Sequence, residues 1–510
     1  MEGVSDYSRR GVCHHLGGGV LNPEKGSFLI SHLFVYDTAS YSNMKRVLSY
    51  VLIPVFLLLA ACTRNAEVIV KNTGDNPEMI LRHSIPVGHA NSVLIQDTLS
   101  GTSELRFKIA VKHPAFISLQ DVGNPTKIVY FPVESGKTYK LDFDGSAFSF
   151  EEPGQDAQRF YSAIPRYGHP QIEALSYTED TDPVLIRAKL DSVRALQMAP
   201  FDSLLKTRKI SPDIFDFIAA DRECNVLSVM AQVGVLLRSE EIQAAAFENF
   251  SPDSDRMLSS LGYFDLMEAY ASRKLMERRE EIMPLVRAGQ TNTLLINEYK
   301  KVLTGERLES AFAYQWRFAA IQKRYEKELI PLYEEFKQTY PYSPYLSAMK
   351  GYYEEICAFH VPKNLSDEIQ FMTDTEGIST MDDLLSRFTG KKLYVDVWAT
   401  WCGPCKEEFA NEKSLHELLE SKGYEMLYLS VDKEEADVQW RDMVAYYQLR
   451  GHHIRAGEAL INDLQRLYGA NGAMAIPWNM IVDTRGNIVQ LHAPRPSDPV
   501  ALSSALDAVD

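Results

Sequence analysis

The stretch Val395-Asp396-Val397-Trp398-Ala399-Thr400-Trp401-Cys402-Gly403-Pro404-Cys405-Lys406 decides how the last part of this chain is read. Its first half continues a run of apolar residues from Leu393 and predicts a strand ending at Trp398. Beyond the two cysteines come a helix-like run, Lys406 to Leu419, and a second strand-like run, Met426 to Val431. Further on, Trp478 to Val482 and Ile488 to Leu491 flank Asp483-Thr484-Arg485-Gly486-Asn487, a hairpin signal. This order of elements is that of an α/β fold. Two residues between cysteines at the first turn of a helix bring the sulfurs within bonding reach. The free N–H groups and the dipole of the helix start then stabilise a thiolate. Cys402, the outer of the two, is the expected nucleophile towards a disulfide, and Cys405, deeper in the helix, resolves the mixed disulfide. Pro404 removes one helical N–H and holds the turn, while Trp401 offers an apolar contact surface beside the sulfurs.

These dozen residues resemble the active-site segment of thioredoxins. The following Glu407-Glu408-Phe409 and the later Ile476-Pro477 are similar, more narrowly, to the TlpA/ResA group of tethered periplasmic thiol-disulfide oxidoreductases. The resemblance implies a thioredoxin-like domain over residues 370–510. It places Asp396 where thioredoxins carry a buried acid, and Glu408 where TlpA/ResA proteins carry a functional glutamate. Both are expected as proton partners of Cys405, with coupled titrations. Pro477 is expected to be cis and to face the dithiol, with Ile476 offering its backbone to the substrate chain. Trp401, Gly403 and Pro404 complete the expected substrate contacts. The Gly-Pro pair resembles reducing thioredoxins, whose couple lies at roughly −270 mV against about −120 mV for the strong oxidant DsbA. Protein disulfides are the implied substrates, with a membrane electron donor of thioredoxin-reducing type. The Cys402–Cys405 disulfide is itself the redox centre, and no further cofactor is expected.

Ahead of this domain, the most apolar stretch is Val47 to Ala61, preceded by Lys45 and Arg46 and followed by Cys62. It is shorter than the roughly 20 residues a spanning helix needs and has the layout of a signal peptide over 44–61. Leu59-Ala60-Ala61-Cys62 resembles the lipobox of bacterial lipoproteins, which implies lipidation of Cys62 and a lipid anchor. Residues 1–43 fit no signal layout and are read as an over-extended gene start, with Met44 the natural beginning. Thr63 to Ala66 contain no acid, which by the sorting logic of lipoproteins favours a periplasm-facing position on the outer membrane.

Two further regions lie between. Over 62–152 apolar residues alternate, as in Leu105, Phe107, Ile109, Val111 and then Tyr139, Leu141, Phe143, predicting a small antiparallel all-β sandwich or barrel. Over 153–365 the period becomes helical. Asp182 and Pro183 read as N-cap and first helical residue, with Ile186, Leu190, Val193 and Leu196 on one face. Tyr325, Leu329, Leu332 and Phe336 form a second stripe. Their aromatics fit either helix packing or a peptide groove.

Composition narrows the alternatives. The 510 residues carry 69 acidic against 53 basic groups, a net charge of −16, which disfavours nucleic acid as a partner. Six cysteines are too few for a disulfide framework, and Cys224 and Cys357 are open between bridged and free. A zinc site through Cys402 and Cys405 lacks two ligands, and His452-His453 is read as an ordinary pair. Thr400-Trp401-Cys402 is one residue short of a peroxidase T-x-x-C. The competing class is a lipoprotein that binds peptide or glycan, with the thioredoxin-like domain as scaffold.

Overall fold

The computed structural model describes residues 65–509 apart from 75–77, 85–93, 101–103, 112, 125, 151, 167–168, 254–256, 374, 376 and 470–473. Residues 1–43, the leader expected at 44–61 and Cys62 lie outside the described residues. Among those described, no helix is long and apolar enough to cross a membrane.

The N-terminal strands are β1 (Asn65–Asn72), β2 (Glu78–Ser84), β3 (Leu94–Ser100), β4 (Glu104–Ala110), β5 (Ala115–Asp121), β6 (Ile128–Val133), β7 (Thr138–Phe143) and β8 (Phe148–Ser149). They form two four-stranded sheets in the orders β4-β1-β7-β8 and β3-β2-β5-β6. The alternation read from sequence is realised on β4, where Leu105, Phe107 and Ile109 are buried and their neighbours exposed. These side chains meet Leu81, Ile117 and Phe131 of the other sheet in one cluster. The antiparallel expectation fails at one pair: β1 runs parallel to β7. The chain between them first builds β2 to β6, so it returns to β1 by a long connection rather than a hairpin.

Phe116 of β5 stacks on Tyr161 and Phe217, joining the sheets to the helical region. The helix Pro183–Lys206 starts as expected, with Asp182 accepting from the Val184 amide at 2.8 Å. Its stripe is only half right. Ile186 and Leu190 are buried, but Val193 and Leu196 are exposed, and Met198, Phe201 and Leu204 take their place. At 100° per residue Leu196 lies about 80° off the Ile186 line, on the far side from Leu190 and Phe201, so it leaves the buried arc. Of the second stripe, Leu329, Leu332 and Phe336 are buried on helix Leu329–Thr339; Tyr325 is buried too, but it stands before that helix in left-handed backbone and is not part of a helical face. Trp316, Tyr333 and Tyr345 are buried too, whereas Tyr342 is fully exposed, so packing accounts for most of the aromatics.

The C-terminal strands are β9 (Ile369–Phe371), β10 (Lys392–Trp398), β11 (Tyr424–Ser430), β12 (Gly451–Arg455), β13 (Trp478–Val482) and β14 (Ile488–Gln490), in the order β14-β13-β10-β11-β12-β9. β10 is central, parallel to β11 and antiparallel to β13. Its alternation assigns two faces. Leu393, Val395 and Val397 enter one core cluster, while Tyr394 and Trp398 enter another that also holds Cys402 and Cys405. That second cluster continues without a break into the helical region, through Tyr325, Ala319 and Phe359. The helix expected over Lys406 to Leu419 is interrupted. Helices Gly403–Glu408 and Glu412–Ser421 are joined by a tight turn, Phe409–Asn411, which lets the Phe409 ring meet Trp398 and Tyr447 edge-on or tilted at 5.1 Å.

Candidate active site: a dithiol at the start of a buried helix

Trp398 ends β10, and the chain turns at once into the helix Gly403–Glu408, for which Cys402 is the N-cap. Cys402 and Cys405 are joined as a disulfide with Cα atoms 5.4 Å apart. The Cys405 amide points at the Cys402 sulfur, 3.2 Å away. This is the geometry in which a helix start favours a thiolate at the first cysteine. Cys402 is 4% exposed and Cys405 fully buried, so of the two cysteines only the outer one reaches solvent. Around it Trp401 and Pro404 are exposed. A Cβ built on Gly403 would meet nothing within 4 Å, so the rim beside the sulfur is open to an approaching backbone.

Asp396 shares a β10 face with Tyr394 and Trp398, the face that carries the dithiol. It is buried and receives one hydrogen bond, from Asn479 Nδ2 at 3.1 Å. Burial first, and the neighbouring Glu408 charge second, push its carboxyl up to about 7. Glu408 is held from the far end of the chain: the Ser497 amide and hydroxyl each donate to its carboxylate at 2.9 Å. The Ile476–Pro477 bond is cis. Ile476 packs against the cluster that contains the two cysteines.

Several groups at this site had no reading in the sequence. Asp432 accepts from both the amide and the hydroxyl of Thr400, each at 2.8 Å, and so fixes the turn two residues before Cys402. Lys406 is buried, donating to the Thr400 carbonyl at 2.7 Å and to the Gln322 carbonyl of the helical region at 2.8 Å. Only Lys406 was signalled, by standing next to Cys405. Ser497 and Asn479 are separated from their carboxylates by more than eighty residues.

The remaining candidates separate from this site. His453 is enclosed, stacks on Tyr428 and bonds the Leu449 carbonyl; burial lowers its ring to about 4, so it is neutral packing. His452 pairs with Glu425 at 2.8 Å. Among the described residues no group of three metal-ligating side chains exists. Neither Cys224 nor Cys357 is in a disulfide, and burial raises the Cys224 thiol to about 12, far from a reactive thiolate.

A mixed sheet, a middle strand that carries a buried acid and runs into a Cys-x-x-Cys helix, and a cis-proline just before the neighbouring strand β13 together define a thioredoxin-like domain. Residues 372–509 match the family model described as Redoxin. The chain is 28% identical over 119 residues to the thiol-disulfide oxidoreductase ResA of Bacillus thuringiensis (strain Al Hakam), spanning 23% of this chain and 62% of that relative. Against ResA of Bacillus cereus (strain ATCC 10987 / NRS 248) it is 25% identical over 141 residues, 28% of this chain and 74% of the relative. A solution structure from Bacteroides vulgatus, assigned as a thiol-disulfide oxidoreductase, is 36% identical over 22% of this chain and 71% of its own, with a TM-score of 0.20. The C-terminal domain is thus of the TlpA/ResA thioredoxin-like type, preceded by two β-sheets and a helical region.

Proposed function

We propose that the chain is a membrane-tethered, periplasm-facing thiol-disulfide oxidoreductase that reduces protein disulfides through the Cys402-Gly403-Pro404-Cys405 dithiol. The observation that carries this reading is the unequal placement of the two sulfurs at one helix start. Cys402 reaches the rim, and Cys405 lies behind it on the Asp396 face.

In the reduced form the Cys402 thiolate attacks one sulfur of a substrate disulfide. An S–S bond to the substrate forms and the other substrate sulfur leaves as a thiolate. Cys405 gives up its proton, for which Asp396 is the acceptor, and attacks Cys402. The intramolecular disulfide forms and the second substrate thiolate departs, both leaving sulfurs taking up protons. A carboxylate that protonates near neutral pH is suited to this transfer, because it neither holds nor refuses the proton strongly. Glu408, fixed by Ser497, tunes Asp396 through its charge. Trp401, Gly403, Pro404 and the Ile476–Pro477 backbone form the surface for the substrate chain. A membrane electron donor of the thioredoxin-reducing type returns the two electrons, and Cys62 carries the lipid that keeps the domain at the membrane.

The test is insulin reduction with dithiothreitol as electron source, followed by turbidity. Wild type is expected to accelerate it, and Cys402→Ser to lose that acceleration at least ~100-fold, because the thiolate nucleophile is absent. Equal rates for the two proteins would leave the domain a scaffold.

A further inference from the structure

Lys406 is the residue that the redox reading leaves without a task. An ammonium group is almost never enclosed unless its protons are accepted, and Lys406 is only 2% exposed. One acceptor is the Thr400 carbonyl, in the turn that carries Cys402; the other is the Gln322 carbonyl, at the end of helix Gly305–Ile321. The second acceptor belongs to the helical region, eighty-four residues away in sequence.

Gln322 opens the segment 322–328, which is built rather than loose. Lys323 and Tyr325 both adopt left-handed backbone, at φ 50° and 56°, a conformation such residues hold only when their surroundings enforce it. Tyr325 supplies the enforcement. Its hydroxyl bonds Glu355 and Tyr447, its ring stacks on Phe359 at 4.5 Å, and its carbonyl is bonded by His360. At the other end, Glu328 caps the helix Thr291–Val302 with four hydrogen bonds from Asn292 and Thr293. Burial lowers the Lys406 ammonium to about 8, and Arg324 and Lys323 of this segment push it the same way, while Glu326 and, from just beyond the end of β11, Asp432 favour its charge. Glu326 keeps one buried carboxylate oxygen without a partner.

We infer that the helical region is a fixed part of the redox site: through Gln322 it holds Lys406, a positioning residue that fixes the Thr400–Cys402 turn and keeps a positive charge beside the dithiol. The inference rests on the reductase reading for its purpose, though not for its test. Thr400 is gripped on three sides, its amide and hydroxyl by Asp432 and its carbonyl by Lys406. Movement of segment 322–328 therefore removes one of two acceptors from a buried ammonium, and loosening of Lys406 releases the Thr400 carbonyl, leaving the turn held by Asp432 alone. By linkage the effect runs both ways, from segment to dithiol and from dithiol to segment.

The experiment compares the full-length reduced protein with Lys406→Met, in two readouts. The ultraviolet absorbance of the Cys402 thiolate, titrated with pH, is expected to move up by about one unit as the nearby positive charge is lost. Hydrogen exchange in residues 322–328 is expected to accelerate several-fold, since the Gln322 carbonyl loses its donor. Should Lys406→Met fail to fold, Lys406→Gln, which keeps a donor and drops the charge, is read by the titration alone, and an unshifted titration in it overturns the inference. A folded variant with both signals at their wild-type values overturns the inference. A shifted titration with unchanged exchange overturns the part assigned to the helical region. Neither readout needs turnover: a wild type inactive towards insulin would sink the reductase reading and leave this test standing.

Discussion

Asp221, in the helical region, and Asp396, on the central strand of the C-terminal sheet, are 1% and 2% exposed. Asp221 is surrounded by donors. The Tyr161 hydroxyl, the Arg222 guanidinium, the Ser260 hydroxyl and the Leu261 amide bond it at 2.8 to 3.0 Å, with Arg166 at 3.2 Å. Although burial works against the charge, the two guanidiniums hold this carboxyl well below the usual carboxylate range. Asp396 has one amide donor, and the charge that acts on it most strongly is the like charge of Glu408. The first is a charge the fold is built to keep; the second is a charge the fold resists. Equal burial therefore says little about role, and the partners decide it.

The largest expected effect comes from breaking the satisfied site. Asp221→Ala leaves the buried Arg222 and the half-buried Arg166 without their carboxylate and is expected to cost about 3–5 kcal/mol of stability. Denaturant melts of the full chain measure this; a loss within noise would mean the cluster is not a structural charge pair. The opposite sign is expected at Asp396. With its carboxyl raised to about 7 in the folded state against an ordinary value of 3.8, the folded form binds more protons than the unfolded between those values. Stability therefore falls as pH rises through that window. Asp396→Asn is expected to gain of order 2–4 kcal/mol at pH ~8, with little gain near pH ~4, while slowing insulin reduction about ten-fold or more. A variant with unchanged stability and wild-type rate across pH would remove Asp396 from the mechanism. For Asp221 the depressed carboxyl gives the reverse slope: its contribution is full above the ordinary carboxylate range and is lost as pH falls below it.

A smaller effect is expected at Glu408→Gln, which removes the like charge beside Asp396. The downward limb of the Asp396-linked pH dependence should move to lower pH, and reduction should slow less than in Asp396→Asn. Smallest is Ser497→Ala, which removes one of two donors to Glu408 and is expected to cost about 1 kcal/mol. An effect as large as that of Glu408→Gln on the rate profile would mean that Ser497 acts on the chemistry and not only on the position of the glutamate.

What was legible in the sequence follows the same division. The dithiol, its strand and its helix are written contiguously between Leu393 and Glu408, so local pattern sufficed to find them. The hairpin around Asp483 was found by its turn residues, and its strands pair antiparallel. Contacts that depend on the chain returning were not legible. Nothing near Glu408 signals Ser497, nothing near Thr400 signals Asp432, and nothing in the helical region marks Gln322 as an acceptor for Lys406. The exposed Leu196 and the parallel β1–β7 pair are misread for a related reason. Periodicity gives the faces of an element but not which arc a neighbour covers, nor which strand arrives beside it. Asp396 was found through its resemblance to a family position, yet its raised carboxyl depends on Glu408 and Asn479, which only the folded chain brings to it.

The central claim, that Cys402 is the attacking sulfur and Cys405 the resolving one, is tested most directly by trapping. Cys405→Ser in the reduced full-length chain, mixed with a disulfide protein and analysed by non-reducing mass spectrometry, is expected to accumulate a mixed disulfide mapped to Cys402. Absence of any adduct, or an adduct mapped to Cys357 or Cys224 instead, would contradict the account.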